Sequence, residues 1–242
     1  MRRFFAPSNQ ISDSSLILGL EETRHLRDVL RLRAGDRVNV FDGEGREYLA
    51  EIAEISKNST TLDVIEEIPP ASPESPLDLT LAAAILKGEK FDLVVQKAVE
   101  LGVTRIVPLL TVRGDVRLRD TQKRVGRWRR IGLEAAKQSG RAALMKIGEP
   151  VEFVEFVQKV EPQTNCLFLM FSERGGEDFP EQPDAKKITA LVGPEGGWED
   201  PEIEAARSAG HAIVTLGGRI LRAETAAISI AAILQHRFGD LR

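Results

Sequence analysis

Residues 37–41 alternate polar and apolar, Asp42 and Gly43 supply a tight turn, and residues 47–55 alternate again. A period of two buries one face of a strand, so these segments, with residues 60–68, read as short strands of a small β-rich, barrel-like domain. A short helix is expected over residues 22–30. Beyond residue 76 the rhythm changes. Residues 77–86 form a continuous apolar run of the kind found in strands buried on both faces. Phe91, Val94, Val95, Ala98 and Leu101 follow at helical spacing, and residues 105–110 make a second strand. A helix is expected over residues 121–140, with Val125, Trp128, Gly132 and Ala135 on one face and Arg124, Arg127, Arg130, Glu134, Lys137 and Arg141 on the other. Further strands are expected at 165–171, 188–192 and 212–216, with a helix over 201–209 between the last two. A strongly apolar helix over 225–236 ends the pattern. Alternating strands and helices predict an α/β domain with a mainly parallel sheet.

The two rhythms meet at residues 69–76, which hold four of the chain's twelve prolines. Proline removes backbone donors and restricts the residue before it, so this stretch reads as extended. The expected organisation is a β-rich domain over residues 1–70, a linker over 71–76 and an α/β domain over 77–242.

Composition narrows the function classes. The chain has 242 residues, 42% hydrophobic and 29% charged, the mix of a globular protein. One cysteine, Cys166, gives no internal disulfide, and no apolar run approaches the roughly 20 residues of a membrane span. The N-terminus turns polar by Ser8, unlike a secretion signal, so a cytoplasmic location is expected. The net charge of −4 speaks against nucleic acid until its distribution is considered. Residues 113–130 carry eight basic side chains (Arg113, Arg117, Arg119, Lys123, Arg124, Arg127, Arg129, Arg130) against two acids, Asp115 and Asp120. A second basic group comprises Arg2, Arg3, Arg24, Arg27, Arg31, Arg33 and Arg37. Either group alone fits a solvated face; together they lean towards RNA, on a surface shared by the N-terminal domain and the basic helix.

The familiar nucleotide fingerprints are missing: no Gly-x-Gly-x-x-Gly follows a strand, and no phosphate loop ends in Gly-Lys-Ser/Thr. His25, His211 and His236 are too scattered to make a metal site with Cys166, and no nucleophile–base pair stands out. Two loops remain. Residues 191–198, Leu191-Val192-Gly193-Pro194-Glu195-Gly196-Gly197-Trp198, join a buried strand to a helix that would open with Asp200 as N-cap and Pro201 in first position. Residues 216–226, Leu216-Gly217-Gly218-Arg219-Ile220-Leu221-Arg222-Ala223-Glu224-Thr225-Ala226, also follow a strand and open a helix. A glycine turn alone is commonly only a turn. Two of them, read as ending adjacent strands, suggest a ligand held by backbone groups beyond the carboxyl ends of the sheet.

These two loops together resemble the small-subunit (16S) ribosomal RNA uracil-N3 methyltransferase family, part of the SPOUT class of trefoil-knotted methyltransferases. The resemblance extends to Arg2-Arg3-Phe4-Phe5, to His25-Leu26 with Val29-Leu30-Arg31, to Lys97 with Glu100-Leu101-Gly102, and to the stretch from Trp128 through Glu134-Ala135-Ala136, Gln138-Ser139 and Arg141. Met145 departs from it, standing where the family commonly has proline. The resemblance implies a SPOUT-type knotted domain behind a small PUA-like β-barrel. It implies S-adenosylmethionine as methyl donor, surrounded by Leu191, Gly193, Glu195, Gly197, Leu216, Gly217, Ile220 and Leu221, with Leu169 and Ala226 as apolar walls and no metal. Arg2, Arg3, His25, Arg31, Arg124, Arg127, Arg130 and Arg141 would hold 16S rRNA or the assembled small subunit. Methylation at uracil N3 needs a base for its proton and a group to stabilise charge on O2 and O4. Glu224 is the candidate base and Arg222 the candidate stabiliser. Rival readings are a related SPOUT enzyme acting on a ribose 2′-hydroxyl or another base, and a non-catalytic assembly factor. The apolar helix over residues 226–234 needs cover on more than one side, which suggests a homodimer.

Overall fold

The computed structural model describes residues 2–114, 120–159, 165–180 and 184–241. Arg117, Arg119 and Asp115 of the basic segment lie outside the described residues. The chain forms two compact units, one of Met1–Glu74 with Leu133–Leu144, the other of Ser75–Gly132 with Met145–Arg242.

The first unit is an open five-stranded sheet. Its strands are β1 (Arg3–Phe5), β2 (Ser15–Leu18), β3 (Arg37–Phe41), β4 (Glu47–Ile55) and β5 (Thr60–Ile68), in the order β1-β3-β4-β5-β2. All neighbours are antiparallel except β1 and β3. The expected barrel is therefore a half-barrel with β1 and β2 at its edges. Both edge strands escaped the sequence reading, because three or four residues are too few to display a period. Alternate residues Leu16, Leu18, Val38, Val40, Ala50, Ile52 and Leu62 fill the concave core with Phe4 and Leu26. The expected helix over 22–30 divides into α1 (Leu20–Arg24) and a wider π-helical turn, His25–Val29. Arg31 follows in the left-handed region at φ 55°.

One buried carboxylate fixes the unit's edge. Glu47 accepts from Arg3 Nε and Nη2, both at 2.9 Å, from Asn39 Nδ2 at 3.1 Å and from the Ala71 amide at 3.1 Å. Burial pushes its pKa up, but these donors outweigh burial and hold the carboxyl below its ordinary range.

The second unit is a seven-stranded, all-parallel sheet. It comprises β6 (Asp78–Ala84), β7 (Arg105–Leu110), β8 (Lys146–Ile147), β9 (Val151–Glu152), β10 (Cys166–Phe171), β11 (Lys187–Val192) and β12 (Ala212–Val214). The order is β12-β10-β11-β6-β7-β8, with β9 beside β7. Its helices are α2 (Lys90–Glu100), the start of α3 (Thr121–Ser139), α4 (Phe153–Gln158), α5 (Asp200–Ser208) and α6 (Ala223–Phe238). On one face Ile213, Met170, Leu191, Ala82 and Val107 form an apolar row under Phe153, Val157, Trp198 and Ile203. α6 packs on α2 and on strands β11 and β6.

Two expectations need correction. β11 and β12 are not adjacent; β10 lies between them. Chain order does not carry strand order, which only packing decides. The N-cap of α5 is Glu199 rather than Asp200, because Glu199 and Glu202 close a capping box that satisfies both backbone ends reciprocally.

Candidate active site

A cavity of about 710 Å³ opens beyond the carboxyl ends of β10, β11 and β12. The loop after β11 supplies Gly193 to Trp198, the loop after β12 supplies Thr215 to Arg222, and the end of β10 supplies Phe171, Ser172 and Glu173 between them. That middle contribution follows from the corrected strand order.

The first loop is braced by its surroundings. Trp198 is buried and donates from Nε1 to the Phe171 carbonyl at 2.9 Å. A Cβ on Gly193 would lie 2.9 Å from that same Nε1, so glycine is needed for close approach to the ring. Arg113 donates to the Gly196 carbonyl at 2.9 Å and to Glu199 at 2.6 Å, and Arg174 donates to the Trp198 carbonyl at 2.9 Å. Residues 216–221 have no comparable brace among the described residues. Gly217 sits at φ 58°, a Cβ added there would meet nothing within 4 Å, and Ile220 is 89% exposed.

Gly193, Glu195, Gly197, Leu216, Gly217, Ile220, Leu221 and Ala226 all line the cavity, as does Arg222. Leu169 and Leu191 do not: both are fully buried in the sheet, Leu191 one row and Leu169 two rows behind Phe171 and Val192 at the opening. Glu224 is absent from the lining too, but its carboxylate faces Lys90, which lines the cavity. Lys90 Nζ donates to Glu195 Oε1 at 3.0 Å and stands 3.9 Å from Glu224 Oε2. The latter is too long for a hydrogen bond, and Glu224 Oε2 is buried without one. Burial raises the Glu195 pKa, yet its own backbone amide, the Lys90 ammonium and the Lys87 backbone outweigh burial and hold it below the ordinary range. Lys90 escaped the sequence reading. Its signal was Lys87-Gly88-Glu89-Lys90, a charged glycine turn between strand and helix like the two loops singled out.

The eight candidate RNA-contacting residues divide by environment. Arg3 is locked onto Glu47 and onto the carbonyls of Ala136 and Arg141 at 3.1 and 3.0 Å. Arg141 is buried with Glu74 at 2.7 Å. Arg127 bridges Asp92 at 2.6 Å and Glu89 at 3.4 Å. Arg2, Arg31 and Arg130 are exposed and Arg124 is half-buried, while His25 packs edge-on against Phe4. Among the described residues no group of three His, Cys, Asp or Glu could hold a metal ion, and no helix is long and apolar enough to cross a membrane.

The cavity fits a ligand gripped by backbone. Its walls are glycine-rich loops, and a carboxylate oxygen without a hydrogen bond lies beside it. Residues 73–235 match the RNA methyltransferase domain family and residues 17–65 the RNA methyltransferase PUA domain. The ribosomal RNA small subunit methyltransferase E of a Synechocystis strain is 36% identical over 228 residues, covering 93% of this chain and 74% of its own. That of Mesomycoplasma hyopneumoniae is 33% identical, covering 94% and 96%. Among solved structures, the Neisseria gonorrhoeae enzyme of the same name, crystallised with S-adenosylmethionine, superposes with a TM-score of 0.90 over all of both chains at 34% identity. A Legionella pneumophila protein in complex with the same cofactor gives 0.89 over 100% of this chain and 99% of its own at 33% identity. The α/β domain is thus SPOUT-type, the N-terminal sheet is PUA-like, and the chain belongs to the ribosomal RNA small subunit methyltransferase E family.

Proposed function

We propose that the chain transfers the methyl group of S-adenosylmethionine to N3 of a uridine in 16S ribosomal RNA, in the cytoplasm. The observation that carries this reading is the cavity itself: both glycine loops line one opening at the carboxyl ends of the sheet, in a chain whose full length superposes on a cofactor-bound relative. Backbone groups of Gly193, Gly197, Leu216, Gly217, Ile220 and Leu221 would hold the cofactor. When bound, the cofactor supplies an electrophilic methyl on a sulfonium.

The chain's own residues must then manage a proton and a charge. The N3 proton of uracil is weakly acidic, and Glu224 is the candidate acceptor, since one of its oxygens makes no hydrogen bond. Arg222, exposed at the N-cap of α6, is the candidate for the charge gathering on O2 and O4. Lys90 bridges towards both Glu195 and Glu224 and keeps two carboxylates tolerable at one rim. Arg2, Arg31, Arg124 and Arg130 are the cations available for phosphates; Arg3, Arg127 and Arg141 already hold carboxylates. The deciding experiment is mass spectrometry of 16S rRNA nucleosides from cells with and without the gene. Loss of N3-methyluridine supports the reading; an unchanged profile overturns it, and loss of a ribose-methylated nucleoside instead favours the 2′-hydroxyl alternative.

A homodimer through α6 is part of this reading. The helix buries Ala223, Ala227, Ile230, Ala231 and Leu234 within its own unit and leaves Ala226, Ile228, Ser229, Ala232 and Ile233 half exposed. Small side chains there permit close approach of a second copy. Ile230 is already buried, so Ala232→Glu is the sharper probe. Sedimentation equilibrium should give a dimer for the native protein and a folded monomer for the variant.

A further inference from the structure

The opposite end of the parallel sheet carries a second cleft, of about 340 Å³, that the methyl-transfer site does not use. Its lining is Asp78, Thr80, Thr104, Arg105, Val107, Lys146, Phe156, Lys187 and Thr189, drawn from the amino ends of four strands, the turn before β7, and α4. Strand register explains how these residues meet. Thr189, Thr80, Arg105 and Lys146 are consecutive partners across β11, β6, β7 and β8, so they form one row on one face of the sheet. Two residues further back on the same face, Lys187 pairs with Asp78. The next row in the other direction, Leu191, Ala82 and Val107, belongs to the apolar core.

This composition is unusual for its place. A parallel sheet covered on both faces is normally Val-, Ile- and Leu-rich throughout. Here the face changes within one row from apolar core to hydroxyls and cations. Three cations face one acid, and that acid is occupied: Asp78 accepts from Thr104 Oγ1 at 2.5 Å and stands 3.9 Å from Lys187. Arg105 and Lys146 are exposed neighbours in register, and neither forms an ion pair among the described residues. Like charges placed side by side repel unless an anion lies between them. Val107 is nearly buried and Phe156 half-buried, so the same cleft also offers an apolar wall with a ring.

We infer that this cleft binds a nucleoside phosphate, with the phosphate on Arg105, Lys146 and Lys187 and the base against Phe156. Arginine forks onto phosphate oxygens, lysines add charge, threonine hydroxyls can serve a ribose, and aromatic faces stack bases. The volume lies at the low end of the range for small-ligand sites, enough for one nucleotide. The nucleotide has two possible sources, a free monophosphate or one unit of an RNA strand, and the chemistry of recognition is shared.

The test is calorimetry at low salt with uridine monophosphate and, separately, a short oligouridylate, on native protein and on an Arg105→Ala/Lys146→Ala double variant. Both substituted residues are exposed, so the fold is retained, and an unchanged thermal midpoint checks this. Either probe should bind the native protein and lose about tenfold or more in affinity in the double variant, while a Lys146→Arg single variant, which keeps the charge, retains most of it. Binding of the monophosphate identifies a free-nucleotide site; binding of the oligouridylate alone, with the same sensitivity, identifies a strand contact. The inference is overturned if neither probe binds, or if the double variant binds as well as the native protein. Titration with S-adenosylmethionine reads the other end of the sheet. Normal affinity there, with no nucleotide affinity here, would sink this inference and leave the proposed function standing.

Discussion

The two glycine loops that made the sequence legible are physically different objects. The loop after β11 is held shut by its neighbours: Trp198 is buried against it, Arg113 and Arg174 bond its carbonyls, and the capping box of α5 fixes its exit. The loop after β12 is open, with Gly217 and Gly218 facing empty space and Ile220 in solvent. In the first, glycine serves packing inside the protein. In the second it serves a backbone shape and an approach from outside. A braced loop against a loose one is how a site can keep half of a ligand's contacts preformed and let the rest close around it.

The sharpest way to break this contrast is to add a side chain to each loop. Gly193→Val should have the largest effect. Its first carbon alone meets a ring that cannot turn away without breaking the Trp198–Phe171 hydrogen bond. We expect about 3 kcal/mol of lost stability by chemical denaturation, together with lost cofactor binding. Gly217→Val should cost less, about 1–2 kcal/mol, since the penalty is a left-handed backbone and not a clash. Calorimetry should still find S-adenosylmethionine binding abolished, because the added bulk occupies the approach itself. Equal destabilisation by the two variants would erase the distinction between the loops.

Much of this was readable from the sequence, and the failures have physical reasons. Strands β3, β4, β5 and β7 fell at the expected residues because alternation or continuous apolarity directly reports burial. Most of the cavity lining was legible as glycine and its neighbours. What was not legible came from packing between distant segments. Nothing local to Lys90 says that it will meet Glu195 across 105 positions, or that β10 will slide between β11 and β12 and bring Phe171 to Glu173 to the rim. Leu191 and Leu169 lie one and two rows behind the cavity lining, because a buried strand has no sequence mark for where its last covered residue lies.

A third variant tests whether bracing matters for function. Arg113→Ala removes the bonds to Gly196 and Glu199 and leaves Trp198 in place. The guanidinium is partly exposed, so we expect no more than about 1 kcal/mol of lost stability. Cofactor affinity should fall several-fold all the same, because the loop must then be ordered by the ligand. Unchanged affinity would mean that the loop holds its shape without this brace.

The smallest effect expected is one of pH, and it joins the two loops through Lys90. Glu195 titrates below its ordinary value of 4.5 in the folded chain; burial opposes this, and its own amide, the Lys90 ammonium and the Lys87 backbone prevail. A depressed carboxylate pKa adds stability that is fully present above the unfolded value and is lost as pH falls through the folded one. Stability should therefore decline from just above pH 4.5 downward, beyond what the other carboxylates contribute. Lys90→Met removes the ammonium, lets the Glu195 pKa rise towards normal and should flatten that part of the decline. The Lys90 and Glu195 side chains are 41% and 35% exposed, so solvent screens the pair and the difference should stay below about 1 kcal/mol. Urea denaturation of both proteins across a pH series from about pH 7 to well below the ordinary value of 4.5 measures it. A Lys90→Met variant that loses as much stability on acidification as the native chain would show that the loop after β11 is held without help from α2, which would make the contrast between the two loops one of Trp198 and the arginines alone.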